Sequence, residues 1–315
     1  MSRSNFPNGF AQGVTIRGLP LLQVHPGEVF YVNNSSVLSK GGVGGSNGND
    51  GSYRRPFSTL AYALTKCTAN RGDIIAVMPG HAESISASDL ALNVAGVAVV
   101  GLGAGALRPT FTFSAAGSTI AVSAGQVSLS NLRLLAPIAN TTAGITLTGA
   151  DFTMDNCLMQ SSLAAGSFNI AILTAAASDG MYVVDSVFNA EHTSGGLAVT
   201  DVPTEAIRLV GCDNSVIKGN FIVGNYSTAA INGITTESEA ILITDNQIHN
   251  IDAAAAAGGI DLVAACTGMV SQNMIGAYET TAIATTIDNS SCSNCGNLVT
   301  NAVAEVGGIP GTESG

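Results

Sequence analysis

The chain breaks into short apolar runs separated by turn-forming residues. From about residue 74 onward, stretches rich in Val, Ile, Leu and Thr alternate with Gly, Asn and Asp. Such runs are typical of β-strands, and the 3.6-residue spacing of amphipathic helices is scarce. Seven runs end in a similar way, the last more weakly than the others: 127–131, 152–156, 182–186, 216–220, 242–246, 269–273 and 293–297.

The last residues of these runs define a repeat. The steps between them are 25, 30, 34, 26, 27 and 24 residues, about 28 on average. The position four residues earlier is apolar or aromatic in six of the seven copies, and the position two residues later is apolar in six of seven. Because neither column was used to choose the alignment, their agreement supports a true repeat. The anchors are Asn131, Asn156, Ser186, Asn220, Asn246, Asn273 and Asn297.

A period of about 28 residues made of short strands predicts a solenoid. Propeller blades need about 40 residues, and leucine-rich repeats would show their leucine consensus. One repeat fits one coil of a parallel β-helix, whose coils stack about 4.8 Å apart, and about eight to nine coils fit between residues 74 and 300. We expect the anchor Asn to adopt left-handed backbone geometry at a tight bend and to bond its equivalent one coil away in an amide ladder.

Composition and charge exclude several classes of protein. The 315 residues are 46% hydrophobic and only 10% charged, where about 25% charged is typical. Eleven Lys and Arg against 22 Asp and Glu give a net charge of −11, which leaves no basic footprint for nucleic acid. No uninterrupted apolar run reaches the roughly 18 residues of a membrane span. Residues 1–13 lack the apolar stretch of a secretory signal, so we expect a protein made in the cytosol.

Six cysteines are scattered through the chain. They are too few and too dispersed for the disulfide scaffold of a small secreted domain, so we interpret most of them as small buried apolar residues. Cys292 and Cys295 form the one CxxC pair. A second pair that would complete a zinc site is absent from the sequence nearby, and the surrounding Ser, Asn and Gly do not open a helix as a redox pair requires. Zinc or redox chemistry is therefore not predicted.

One column of the repeat carries the candidate chemistry. Immediately before the anchors stand Asp155, Asp185, Gly219, Asp245 and Gln272. Stacking would place Asp155 and Asp185 on adjacent coils, close enough for the paired carboxylates of a glycoside hydrolase. Gly219 interrupts the column, however, and Asp beside Asn is also ordinary turn chemistry. We favour solvent-facing turn residues over a catalytic pair or an incidental cation site.

The other polar residues form no constellation in the sequence. The loop 41–51, GGVGGSNGNDG, lacks the Lys of a phosphate-binding loop and the distal Glu of an EF-hand, so we interpret it as a connector. We therefore predict no catalytic residue, no cofactor and no metal site. The residues weighed for those roles are the dispersed basic residues Arg133, Arg208 and Lys218, the loop residues Asn47, Asn49 and Asp50, and the histidines His25, His81, His192 and His249.

Two segments upstream of the repeat carry a family resemblance. Residues 56–64, PFSTLAYAL, place Phe57, Leu60, Ala61 and Leu64 on one face of a short helix, and residues 71–80, RGDIIAVMPG, follow. With residues 96–103 as the next coil, this resembles the N-terminal end of right-handed β-helices of the pectin-lyase-like superfamily. More narrowly, the chain is similar to β-helical structural proteins of tailed bacteriophages. The resemblance implies an all-β, right-handed parallel β-helix with a short N-terminal capping helix.

The same comparison implies a division of the chain into four parts. We expect an extended N-terminal arm over residues 1–52 that packs on a neighbouring subunit, and a capping helix within residues 53–72. The parallel β-helix would occupy residues 73–300. The Gly- and Pro-rich residues 301–315 would form a C-terminal tail. An open coil end exposes apolar surface, which is the physical reason for a terminal cap.

The resemblance implies a function as well as a fold. We expect a non-enzymatic virion protein, a homotrimer on the capsid exterior that contacts the major capsid protein or other virion proteins, with neither nucleic acid nor membrane as a partner. The alternative is a tail fibre or tailspike that binds or cleaves a host glycan. The absence of tryptophan disfavours that alternative, because aromatic rings are the usual platforms for sugars. A cellular polysaccharide lyase would need secretion, which the N-terminal sequence does not support.

Overall fold

Parallel strands stacked coil upon coil make up this all-β chain. The computed structural model describes residues 15–16, 19–20, 27–36, 41–86, 90–138, 140–161, 166–190, 203–251, 258–262, 265–277, 287–288 and 290–301. At the start, β1 (Thr15–Ile16) and β2 (Leu19–Pro20) pair antiparallel. The other strands form three parallel sheets of ten, nine and eight strands. No helix in these ranges is long and apolar enough to cross a bilayer.

The first sheet runs the length of the solenoid. Its strands, in stacking order, are β3 (Val29–Val32), β4 (Ile74–Val77), β7 (Ala98–Gly101), β10 (Ser128–Ser130), β13 (Thr153–Asp155), β16 (Tyr182–Val184), β19 (Val216–Lys218), β22 (Ile241–Thr244), β25 (Gly268–Ser271) and β28 (Ser293–Cys295).

The second sheet follows the first in each coil, and from residue 128 onward the two are joined by a tight corner of two residues. Its strands are β5 (Ala82–Ile85), β8 (Thr110–Phe113), β11 (Arg133–Ala136), β14 (Leu158–Ser161), β17 (Val187–Ala190), β20 (Phe221–Gly224), β23 (Gln247–Asn250), β26 (Met274–Ala277) and β29 (Leu298–Asn301).

The third sheet completes each coil. Its strands are β6 (Leu90–Leu92), β9 (Ile120–Val122), β12 (Thr141–Leu147), β15 (Phe168–Thr174), β18 (Glu205–Leu209), β21 (Ala229–Gly233), β24 (Gly258–Leu262) and β27 (Ile287–Asp288). The predicted fold class, a parallel β-solenoid, is confirmed. From its first strand to its last, this sheet spans seven full turns of the solenoid, slightly fewer than the eight to nine turns estimated from the sequence.

Inward-facing side chains form continuous apolar columns between the sheets. In the second sheet, Phe188 pairs in register with Ile222, and Ile222 with Ile248, and all three are at most 2% exposed. Phe113 and Phe168 meet edge to face in the interior, with ring centroids 4.9 Å apart. Alternation of buried and exposed positions puts these residues on one face of each strand. Truncating such a side chain would cost about 2–5 kcal/mol.

The corner between the first and second sheets explains the asparagine repeat. One residue per coil adopts left-handed backbone geometry, and the next residue points inward. The left-handed residues are Asn131, Asn156, Asp185, Gly219, Asp245, Gln272 and Gly296, with φ between 47° and 68°. The following residues are Leu132, Cys157, Ser186, Asn220, Asn246, Asn273 and Asn297, all at most 1% exposed. The predicted ladder therefore forms in the later coils, inside the solenoid.

The pairing register corrects the sequence alignment by one residue. Met154 pairs with Val183 and Asp155 with Val184, so Asn156 is the equivalent of Asp185 rather than of Ser186. The sequence alignment matched the two Asn residues of the early coils with the inward Asn of the later ones. Asn suits both positions, because its side chain tolerates left-handed geometry and also bonds along a ladder, and this ambiguity caused the error.

Helix α1 (Leu60–Leu64) lies within the predicted capping segment and packs against β3, β4 and β6. Thr59 caps its N-terminus by accepting a hydrogen bond from the backbone N–H of Tyr62 at 3.3 Å. The residues that face the interior, Leu60, Ala63 and Leu64, are buried. Their apolar side chains cover the open end of the first coils, as a solenoid end requires.

Part of the segment expected to be an arm belongs to the solenoid. Strand β3 pairs in parallel with β4, because its Phe30 and Val32 extend the buried apolar column of the first sheet. The loop 41–51 packs beside it, so closely that a Cβ on Gly45 would lie 1.5 Å from the carbonyl oxygen of Asn33. The remainder of residues 1–26, and residues 302–315 of the expected tail, lie outside the described residues.

Candidate functional site

Four of the five residues in the column nominated for chemistry are corner residues. Asp185 and Asp245 have φ of 47° and 57°, and each turns the chain from the first to the second sheet. Asp155 is not part of this column, because it lies in β13 and pairs with Val184. The prediction that Asp155 and Asp185 occupy equivalent positions on adjacent coils is therefore wrong by one residue.

The corner aspartates interact with their own neighbours. A Cβ on Gly219 would lie 2.4 Å from Oδ1 of Asp185, so the carboxylate of Asp185 rests against the backbone of the next corner. Asp245 forms an exposed ion pair with Lys218, with Oδ2 3.7 Å from Nζ. An exposed pair of this kind contributes little to stability. Both contacts fit the interpretation of these residues as turn residues.

The dispersed basic residues remain apart in the fold. Arg133 lies in the second sheet, Arg208 in the third and Lys218 in the first. In the connector loop, Oδ1 of Asn47 accepts from the backbone of Ser58 at 3.1 Å, and Nδ2 of Asn49 donates to the carbonyl of Pro56 at 2.8 Å. These amides hold the loop against the chain.

The histidines and cysteines are also separated. His81 is fully buried, and its Nε2 lies 3.0 Å from a carboxylate oxygen of Glu83, whereas His249 is exposed on the second sheet. His25 and His192 lie outside the described residues. Cys292 is buried and Cys295 is exposed, so one side chain of the CxxC pair lies inside the solenoid and the other lies on its surface. Within the described ranges, no three His, Cys, Asp or Glu side chains are grouped to hold a metal ion.

The structure assembles a polar cluster on the outer side of the third sheet. Arg208 pairs in register with Asn232, Asn232 with Asp261, and Asp261 with Asp288. Each alternates with a buried isoleucine of the inward column, so this polar row lies on the outer side of the third sheet over four successive coils, with Asn232 itself only 3% exposed. Neighbouring strands lie about 4.8 Å apart, so the carboxylates of Asp261 and Asp288 are close enough to repel each other electrostatically.

Glu205 lies beside Arg208 and Asn232, at the N-terminal end of the polar row. Its carboxylate is 2% exposed and is held by the Arg208 guanidinium, whose Nη2 donates at 2.9 Å, and by Nδ2 of Asn232 at 2.8 Å. The pair neutralises the buried charge of Glu205. Oδ1 of Asn232 is buried and has no hydrogen-bond partner, which leaves an unused acceptor at the centre of the row.

The C-terminal end of the row, formed by Asp261 and Asp288, is acidic. Burial raises the pKa of the Asp261 carboxyl, and the negative charges of Asp288 and Glu205 raise it further. Like charges and desolvation both favour the protonated form. A protonated Asp261 would be a hydrogen-bond donor, and the row would then contain an acid, a carboxylate, an amide and a guanidinium. Such a set can hold the hydroxyl and carboxyl groups of a saccharide.

Sequence reasoning missed the polar row because the alignment used the first-sheet strands alone. The steps from Arg208 to Asn232, Asp261 and Asp288 are 24, 29 and 27 residues, the same period as the asparagine repeat. A search for polar residues at that period would have found them. The connections before β18, β24 and β27 vary in length, which hides this register from an alignment anchored elsewhere.

Comparison with known proteins places the chain in a family. A family model described as a protein of unknown function, DUF1565, matches residues 43–305. The chain belongs to this family. No curated protein matches the sequence significantly.

Solved structures of polysaccharide lyases share the fold. Pectate lyase Pel9A superposes with a TM-score of 0.53 at 13% identity, over 91% of this chain and 82% of that one. A rhamnogalacturonan lyase gives 0.52 at 13% identity, over 80% of this chain and 69% of that one. At this identity the likeness shows the fold alone, and it confirms the pectin-lyase-like β-helix predicted from the sequence.

Proposed function

We propose that this protein is a non-enzymatic structural protein of a tailed bacteriophage, a homotrimer bound to the capsid exterior. It is made in the host cytoplasm and contacts the major capsid protein or other virion proteins. The observation that carries the proposal is that Asp185 and Asp245, two aspartates of the column nominated for chemistry, are chain corners with left-handed backbone geometry. These residues therefore serve the repeat itself, which is the role expected in a scaffold.

The interior of the solenoid suits a structural role. Each inner coil is hydrogen-bonded to the coil on either side through all three sheets, and buried amides add a fourth line of bonds along the axis. Nδ2 of Asn220 donates to Oδ1 of Asn246 at 3.0 Å, and Nδ2 of Asn273 donates to Oδ1 of Asn297 at 2.9 Å. Pulling two coils apart would expose several buried polar groups at once, so the rod resists deformation.

Binding to assembled heads tests this proposal. The purified full chain is mixed with heads of the virus that encodes it, prepared without the protein, and the mixture is sedimented. We expect the chain to sediment with the heads at a fixed stoichiometry and to raise the temperature at which they release DNA. Failure to bind heads under any ionic condition would overturn the proposal.

A glycan-binding or glycan-cleaving spike is a second candidate, because of the polar row on the third sheet. Arg208, Asp261 and Asp288 present donors and acceptors on the outer side of the sheet, and the buried Asn232 lies between them. Incubation with host surface polysaccharide, followed by chromatography of the products, tests it. Depolymerisation that Asp261→Asn and Asp288→Asn abolish would favour this candidate, and intact polysaccharide would exclude cleavage.

A further inference from the structure

The outer face of the second sheet carries no formal charge over six consecutive strands. The strands β14, β17, β20, β23, β26 and β29 read LMQS, VFNA, FIVG, QIHN, MIGA and LVTN. The first sheet over the same coils carries Asp155 and Lys218, and the third carries Glu205, Arg208, Asp261 and Asp288. In a chain with a net charge of −11, this face is electrostatically distinct.

The same face exposes large apolar side chains in one register column. Phe221 is 45% exposed, Met274 54% and Leu298 42%. They border a groove of about 300 Å³ that also includes His249 and Thr300. We call the outward column of these six strands the neutral face; it consists of Leu158, Val187, Phe221, Gln247, Met274 and Leu298.

We infer that the neutral face is the surface through which copies of this chain associate, with a second copy as its occupant. The inference rests on the proposed function, which requires a homotrimer, and it names the surface responsible. Cores of protein interfaces are depleted of charge and enriched in aromatic residues and Met. Two chains that each have a net charge of −11 repel each other. They approach at the lowest electrostatic cost through surfaces on which neither carries a charge.

Spacing also favours a second copy as the occupant. The side chains of the neutral face repeat at the coil spacing of about 4.8 Å. Another copy presents the same spacing, so equivalent side chains of neighbouring solenoids meet at the same height around a threefold axis along the whole face. A partner without that periodicity matches the face at one or two coils only.

The size of the neutral face shows that it forms the centre of a larger interface. Five steps of about 4.8 Å by a four-residue strand of about 13 Å give roughly 300 Å² of projected area. A stable interface buries about 800 Å² per partner. The contact therefore extends past the uncharged corners Gln272 and Gly296 onto the first sheet, where Met269 is 45% exposed.

The test compares the association state of surface variants of the full chain. Phe221→Glu and Met274→Glu place charge in the neutral face, and Leu107→Glu is the matched control, since Leu107 is 45% exposed outside it. Sedimentation equilibrium gives the association constant, and circular dichroism with thermal melting verifies folding. We expect wild type and Leu107→Glu to form trimers, and the two face variants to associate at least tenfold more weakly.

Crosslinking is a second test of which surface lies at the interface, and it does not depend on weakened association. In a Cys295→Ser background, Met274→Cys should form disulfide-linked species between copies under mild oxidation, and Leu107→Cys should not. The inference would be wrong if folded Phe221→Glu and Met274→Glu variants remain trimeric, or if crosslinks form at position 107 alone. Either result would leave the proposed homotrimer intact. A wild-type chain that is monomeric at every concentration would overturn both the inference and the proposed homotrimer.

Discussion

Nδ2 of Asn246 donates to Oδ1 of Asn273 at 2.9 Å, and the backbone N–H of Asn246 donates to the same oxygen at 3.0 Å. Both residues are fully buried. A single amide oxygen thus satisfies two donors of the preceding coil, and Nδ2 of Asn246 also donates to the carbonyl of Ile217 at 2.9 Å. The ladder is therefore a stabilising device in the interior of the solenoid, and it makes the inward Asn a coil-to-coil connection.

Replacing one member of the ladder should weaken the fold strongly. Asn246→Ala removes the acceptor for the backbone and side-chain nitrogens of Asn220, which leaves buried donors unsatisfied. We expect the free energy of unfolding to fall by about 2–4 kcal/mol, measured by chemical denaturation. The matched control is Asn156→Gly at an exposed corner with φ of 48°, where the loss should stay below about 1 kcal/mol. Equal losses in the two variants would contradict the ladder's role.

Glycine is required at one strand start and optional at the corners. Gly268 has φ of 137°, and a Cβ there would lie 2.0 Å from the carbonyl oxygen of Ile241. We expect Gly268→Ala to destabilise by more than about 3 kcal/mol, measured as a fall in the unfolding midpoint. At the corner, Gly296→Asn should change stability by less than about 1 kcal/mol, because Asn tolerates left-handed geometry. A well-folded Gly268→Ala variant would refute the backbone geometry described.

Thiol reactivity should single out one cysteine. Cys295 is exposed, whereas burial raises the pKa of Cys157 to about 12 and that of Cys292 to about 11. The thiolate is the reactive form, so we expect a single fast thiol in the native protein at pH 8 in a colorimetric disulfide-exchange assay. Cys295→Ser should abolish this fast phase, and unfolding should release all six thiols. A fast phase of two or more thiols would contradict the buried positions.

The acidic end of the polar row predicts a pH dependence of stability. The raised pKa of Asp261 means that the folded state holds this proton to a higher pH than the unfolded state. Its contribution to stability is therefore present at low pH and is lost as the pH rises above the ordinary Asp range. Asp261→Asn should reduce this loss, so that its melting temperature relative to wild type increases from pH 4 to pH 7. Thr146→Asn, in the same column, should show no such trend; a parallel decline in wild type and Asp261→Asn would contradict the assignment.

The sequence predicted the fold well because a stacked solenoid repeats its inward positions. Phe188, Ile222 and Ile248 recur at the coil period, so a one-dimensional pattern contains the three-dimensional stacking. The register of the early coils was harder to predict from the sequence. Asn131 and Asn156 occupy the left-handed corner, whereas Asn220 occupies the inward position. One residue type serves both positions, and pairing alone distinguishes them.

The surfaces were harder to predict than the core. Outward residues are free of packing constraints, so the polar row of Arg208, Asn232 and Asp261 has no common residue type, and unequal connections obscure its period. The neutral face is likewise recognised only when the strands are stacked, since its members look like ordinary strand residues one at a time.

Image reconstruction of phage particles that contain this chain, as the proposed function requires, tests the central claim most directly. The account predicts rod-like density on the outside of the head at threefold-symmetric positions, into which three copies of the solenoid fit with their neutral faces toward the shared axis. Density for the solenoid confined to the tail, or absent from the particle, would contradict it.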